Sequence, residues 1–184
     1  MTSPDPTAIG PQSTMSELLE VFPGAQRALF RQYHIGGCSS CGFQPGETLE
    51  AVCARQTGLV VSDVIEFLQS SHEQDQRVLM TPQELAALRK SGAPVRLLDI
   101  RPREEWDTAR IEGAVLLSNP LMQEILSQWP RTDLVVVCDH QGRLGLDAAA
   151  YFQGHGFKNV RCLRGGLDAW SREIDPQIPR YRID

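Results

Sequence analysis

The run Leu134-Val135-Val136-Val137-Cys138 passes into Asp139-His140-Gln141-Gly142-Arg143 and then into Leu146-Asp147-Ala148-Ala149-Ala150-Tyr151-Phe152. Consecutive apolar residues of this length suit a strand buried on both faces, the habit of parallel sheets covered by helices. The alanine-rich run that follows suits a helix. A thiol where such a strand ends and such a helix begins faces unpaired backbone N–H groups and the positive end of a helix dipole. Both favour the thiolate, which is the nucleophilic form. The competing reading treats Cys138 as a small buried apolar residue, the common fate of a free cysteine.

The flanking sequence repeats the strand-and-helix alternation. Strands are expected at about Val95–Ile100, Ala114–Leu117, Leu134–Cys138 and Val160–Leu163, with helical segments between them, which predicts a parallel α/β sheet. Asp99-Ile100-Arg101 closes the first of these strands and precedes Glu104-Glu105-Trp106 and Ile111-Glu112-Gly113-Ala114. After the cysteine come Gly154-His155-Gly156-Phe157 and Leu163-Arg164-Gly165-Gly166-Leu167-Asp168-Ala169-Trp170. With its motifs in this order, the span from Thr81 to Trp170 resembles the single-domain rhodanese family of sulfurtransferases.

That resemblance implies a sheet flanked by helices and a definite chemistry. Cys138 would take sulfane sulfur from a donor, hold it as a persulfide and yield it to a thiol, a protein cysteine or another acceptor. Backbone N–H groups from Asp139 onward would cradle the anionic persulfide, with Gly142 allowing the tight turn and Arg143 supplying a cation. Family loops run cysteine, two variable residues, glycine, one variable residue, arginine. Here Arg143 keeps its spacing from Cys138, yet Gly142 stands one place late. Counting back from the alanine run puts Leu144 where the arginine belongs. The loop therefore carries one extra residue, at a position the sequence leaves open. Related phosphatases place five residues between cysteine and arginine; this chain has Leu144 at that point, which disfavours the phosphatase reading.

The other loop residues have their own expected places. Asp139 is expected to point outward, because an inward carboxylate would disfavour a neighbouring anion. His140 either tunes the thiolate or, the favoured reading, is solvated. His140, Gln141, Gly142 and Leu144 complete the substrate loop, and Asp99 and Arg101 support its wall through an ion pair or loop hydrogen bonds. Cys162 reads as core, and His34, His72 and His155 as structural.

Residues 1–13 read as a proline-rich disordered leader without the basic and apolar regions of an export signal. Thr14-Met15-Ser16-Glu17 is a capping box opening a small all-α domain over residues 14–69. Its second helix, Ala25–Tyr33, offers Ala28, Leu29 and Phe30 to a core; Thr48 and Ser62 cap a third and a fourth helix. Residues 70–79 have the polar composition of a linker, 80–176 form the rhodanese-like domain and 177–184 a C-terminal tail. No stretch reaches membrane-spanning length, and a net charge of −5 gives no reason to expect nucleic acid. Five cysteines without an export signal point to a cytoplasmic chain with thiols rather than a disulfide scaffold.

Gly36-Gly37-Cys38-Ser39-Ser40-Cys41-Gly42 stands between two expected helices. It resembles the glycine- and cysteine-rich turn of a small helical domain family found with redox and iron–sulfur repair proteins. Cys38 and Cys41 can share a metal with outside ligands, form a reversible disulfide, or accept sulfur from Cys138; the alternative is a tight turn with incidental thiols. Cys53, in an apolar helical setting, is expected to be buried. No cofactor or resident metal is expected, and the partners are a sulfane-sulfur donor and a thiol acceptor. The second functional reading is a catalytically weak rhodanese-like module that binds or senses a partner.

Overall fold

Two threonines begin the first unit. Thr14 and Thr48 accept the N–H groups of Glu17 and Ala51, so each satisfies a donor that the first turn of a helix leaves free. The computed structural model describes residues 9–36 and 42–181 and divides into two units, Met1–Arg77 and Val78–Asp184. In the first unit lie α1 (Met15–Val21), α2 (Ala25–Tyr33), α3 (Leu49–Ala54) and α4 (Val61–Val78). Met15, Leu18, Phe22, Leu29, Val52 and Leu68 fill their common core. Cys53 is buried there, whereas Phe30 is exposed, on the outer face of α2.

Two boundary expectations change here. Residues 70–78, expected as a linker, are the last turns of α4. Their inward contacts are polar: Asp75 pairs with Arg27 at 2.5 Å, and the His72 ring lies 4.6 Å from Phe22. An apolar periodicity that stops at Leu68 does not register such a face. Within the expected leader, Ile9 is buried in the core, and the carbonyls of Pro11 and Ser13 accept from Glu50 and Leu49. Cys38 and Cys41 lie outside the described residues.

The second unit is the expected α/β layer structure. Its strands are β1 (Leu79–Met80), β2 (Arg96–Asp99), β3 (Val115–Leu116), β4 (Leu134–Cys138) and β5 (Asn159–Leu163). They form one parallel sheet in the order β1-β5-β4-β2-β3. The helices are α5 (Pro82–Lys90), α6 (Arg103–Thr108), α7 (Asn119–Gln128), α8 (Leu144–Gly154) and α9 (Gly166–Glu173). Thr81 opens α5 with a full capping box, as its Thr-Pro-Gln-Glu sequence predicts.

Each face of the sheet has its own core. Val135 and Val137 pack with Ile125, Leu146, Ala149 and Phe152, from α7 and α8. Val136 and Cys138 pack with Leu85, Leu167 and Trp170, from α5 and α9. The period-two alternation of a strand makes this division. It also decides the geometry of the loop that follows β4.

Candidate functional site

Cys138 ends β4 opposite Asp99 of β2, with the Ile100 N–H donating to its carbonyl at 2.9 Å. Its side chain continues the alternation and joins the α5/α9 core, on the sheet face opposite α8. The thiol is 1% exposed and donates to the Asp139 carbonyl at 3.3 Å. Burial pushes it well above the ordinary thiol range, reinforced by the negative charges of Asp99 and Asp139 and opposed by Arg101.

Asp139 corrects the expectation of an outward side chain. It is buried, and its carboxylate turns into the loop, accepting the N–H groups of Gly142, Leu144 at 2.7 Å and Gly145 at 3.3 Å. The backbone cradle expected around the sulfur thus closes on the neighbouring carboxylate. The chemistry of the exchange is direct. A carboxylate is the anion that a converging set of N–H groups at a helix start attracts, and it caps the first turn of α8.

The glycines hold the loop in this form. Gly142 has φ +79°, and a Cβ there would lie 2.6 Å from the Gly165 N and 2.9 Å from the Leu163 O. At Gly166 a Cβ would meet the Asp139 carbonyl at 2.4 Å, so only a bare backbone lets α9 approach. The N–H groups of Leu167 and Asp168, at the start of α9, then donate to the carbonyls of Asp139 and His140 at 2.9 and 3.1 Å.

Gly142 stands three residues after Asp139 and Leu144 five after it. Measured from the glycine, the family spacing therefore places Asp139 where the loop cysteine belongs and Leu144 where the arginine belongs. No extra residue remains once the loop is counted this way. Leu144 is 65% exposed at the start of α8. Arg143 and Gln141 are exposed, and Arg143 makes no hydrogen bond or ion pair among the described residues.

Asp99 and Arg101 form a buried ion pair below the loop. Arg101 Nη2 and Nε donate to Asp99 at 2.6 and 2.9 Å, and Nη2 also reaches the Ala109 carbonyl at 2.7 Å. Burial works against the guanidinium charge, but the hydrogen bonds and charge of Asp99 outweigh it and raise the arginine further. The remaining donor, Nη1, reaches the hydroxyl of Tyr181 at 2.5 Å.

Tyr181 and Glu105 are the site residues that sequence reasoning passed over. The Tyr181 hydroxyl donates to Glu105 Oε2 at 2.6 Å, and its ring lies 4.5 Å from the ring of His140. His140, expected to be solvated, is buried by this contact. The expected tail is therefore packed as far as Tyr181, with Ile178 buried beside Trp170 in the α5/α9 core. A Tyr beyond the last helix carries no periodic signal, and Glu105 reads as one more charge on an exposed helix.

These features can be compared with known proteins. The Rhodanese-like domain family matches residues 81–173, half of the chain. The chain belongs to this family. The thiosulfate sulfurtransferase GlpE of Pseudomonas entomophila is 36% identical over 95 residues, covering 50% of this chain and 82% of that protein. The probable adenylyltransferase/sulfurtransferase MoeZ of Mycobacterium tuberculosis is 29% identical over 126 residues, 67% of this chain. The chain spans only 30% of the length of MoeZ. Among solved structures, a rhodanese-like domain protein of Staphylococcus aureus superposes with a TM-score of 0.46 at 21% identity, covering 56% of this chain and 98% of that one. The rhodanese-like part is thus homologous to sulfurtransferases. Among the described residues, no helix is long and apolar enough to cross a membrane.

Proposed function

We propose that the rhodanese-like domain is a binding module whose loop does not carry sulfur. The observation that carries this reading is the Asp139 carboxylate seated among the N–H groups of Gly142, Leu144 and Gly145. A persulfide carrier needs its thiolate at that point. A carboxylate cannot accept sulfane sulfur, and its charge already satisfies the donors that would stabilise the persulfide anion. Cys138 lies on the other face of the sheet, buried, with a thiol held above its ordinary range, so its thiolate fraction is small.

The test is incubation with thiosulfate, followed by intact mass, peptide mapping and thiocyanate release on adding cyanide. In a competent loop the thiolate attacks the outer sulfur, the S–S bond of thiosulfate breaks, and sulfite departs with the bonding pair. The parent chain is expected to show no one-sulfur adduct on Cys138. Asp139→Cys puts a thiol within the cradle and is expected to gain the adduct there. A stoichiometric adduct on Cys138 of the parent would overturn the reading.

Homology to sulfurtransferases supports a second reading, sulfur transfer, for which Cys138 would be the carrier and Arg143 the loop cation. The thiol would then react from an opened loop and deliver persulfide sulfur to a thiol, including a cysteine of a protein acceptor, in a cytoplasmic setting. Cys38 and Cys41 are acceptors within the chain under this reading. Their peptide would carry label that disappears in Cys138→Ser.

A further inference from the structure

The last described residues bind the domain as a peptide ligand would. Ile178 is buried in the α5/α9 core, and its carbonyl accepts the Ser171 hydroxyl at 2.6 Å. Pro179 and Arg180 are exposed, and Arg180 pairs with Asp168 at 2.7 Å. Tyr181 then turns inward, its hydroxyl between Arg101 Nη1 and Glu105 and its ring against His140. The segment is thus read at three points: an apolar well, a carboxylate for a cation, and a donor–acceptor pair with a ring platform for a phenol.

We propose that this surface is a recognition groove for extended peptides of the pattern apolar–Pro–cation–Tyr, which the chain's own residues 178–181 occupy in cis. The phenol site is built rather than incidental. Arg101 is fixed by Asp99 and by the Ala109 carbonyl, so Nη1 is aimed before any tyrosine arrives. Glu105 supplies the matching acceptor from α6. Both partners of the hydroxyl are therefore available, which distinguishes tyrosine from phenylalanine.

The cis occupant leaves one group unmet. His140 Nδ1 is the buried side-chain polar atom without a hydrogen-bond partner among the described residues, and it belongs to the ring that Tyr181 covers. An incoming segment with a polar group beside its tyrosine can satisfy that nitrogen, which the resident segment does not. Such a ligand gains a contact in exchange for displacing a tethered competitor. The tether raises the local concentration of the cis segment, so the parent chain binds a free peptide weakly.

This proposal names the partner class for the binding-module reading and rests on it. The probe is a fluorescein-labelled peptide of sequence Gln-Ile-Pro-Arg-Tyr with an amidated end, followed by anisotropy. The proteins are the full chain and its Ile178→Ala/Tyr181→Ala variant, in which the groove is vacated. The variant is expected to bind at least about tenfold more tightly than the parent, because the cis competitor is gone. Replacing the peptide tyrosine by phenylalanine is expected to weaken binding, and replacing it by alanine to abolish it. A folded variant that does not bind, or that binds the tyrosine and alanine peptides alike, overturns the proposal. If the double variant does not fold, Tyr181→Ala, which keeps the Ile178 anchor, is judged by the same criteria. Sulfur loading of Cys138 in the parent would defeat the module reading separately, since the peptide measurement does not involve the thiol.

Discussion

Replacing Asp139 by alanine should cost the rhodanese-like domain a large part of its stability. The carboxylate accepts three backbone N–H groups, from Gly142, Leu144 and Gly145, and two of these belong to the first turn of α8. Loss of a helix cap alone costs about 0.5–2 kcal/mol. Hydrogen bonds to a charged group contribute about 1.5–3 kcal/mol each when buried. Water can reach the Gly142 and Leu144 donors in the variant, because neither residue is fully buried, so the bonds do not add at full value. Together these terms give an expected loss of about 2–4 kcal/mol. Asp139→Asn should lose nearly as much, since an amide of the same shape has one accepting oxygen and turns an NH2 group toward backbone donors. All three tryptophans, Trp106, Trp129 and Trp170, lie in the second unit, so intrinsic fluorescence in urea reports this unit separately from the first. With a slope of about 2 kcal/mol per molar urea, the midpoint should fall by about 1–2 M. A midpoint within experimental error of the parent would refute the cradle as a stabilising device and, with it, the argument that Asp139 owns the anion position.

Other outcomes follow from the same network. Arg101→Gln strands a buried Asp99 carboxylate and should cost about 3–5 kcal/mol in the same urea assay. Gly142→Ala forces a side chain into a left-handed turn against the Gly165 backbone and should destabilise the domain by about 1–3 kcal/mol. Tyr181 is pushed up to about 12 by burial, with the Glu105 hydrogen bond acting in the same direction, whereas an unfolded phenol releases its proton near about 10. The folded state then binds more protons between these values, so its stability should fall as pH rises through that window. Urea midpoints compared on either side of it should fall more in the parent than in Tyr181→Phe, where the buried Cys138 thiol still contributes a fall of the same sign.

Much of this architecture was legible because it depends on local chemistry. The threonine caps at Thr14, Thr48 and Thr81, the run Leu134–Cys138 and the alternation with helices all lead to the observed elements and to a parallel sheet. The edge strand Leu79–Met80 was not legible, because it is short and exists only through its pairing with β5. The end of α4 was missed for the complementary reason, its inner face being made of Ser71, His72 and Asp75 rather than apolar residues.

The loop was legible in its position between β4 and α8 and misleading in the direction of its side chains. A thiol at a strand end next to a helix start is a sound reason to look there, and the loop between β4 and α8 is where the backbone donors converge. What the composition of the loop hides is parity. Val136 and Cys138 share one face of the strand, so the residue that turns toward α8 is the next one, Asp139. That alternation was available in the sequence, and it accounts for both the late glycine and the displaced arginine without an inserted residue. The C-terminal contact was different in kind. Tyr181 reaches Arg101 across 80 residues of chain, and no local pattern announces an interaction that distant. Parity along β4 thus determines which side chain occupies the anion cradle, while the tertiary path of residues 175–181 determines what the neighbouring groove recognises.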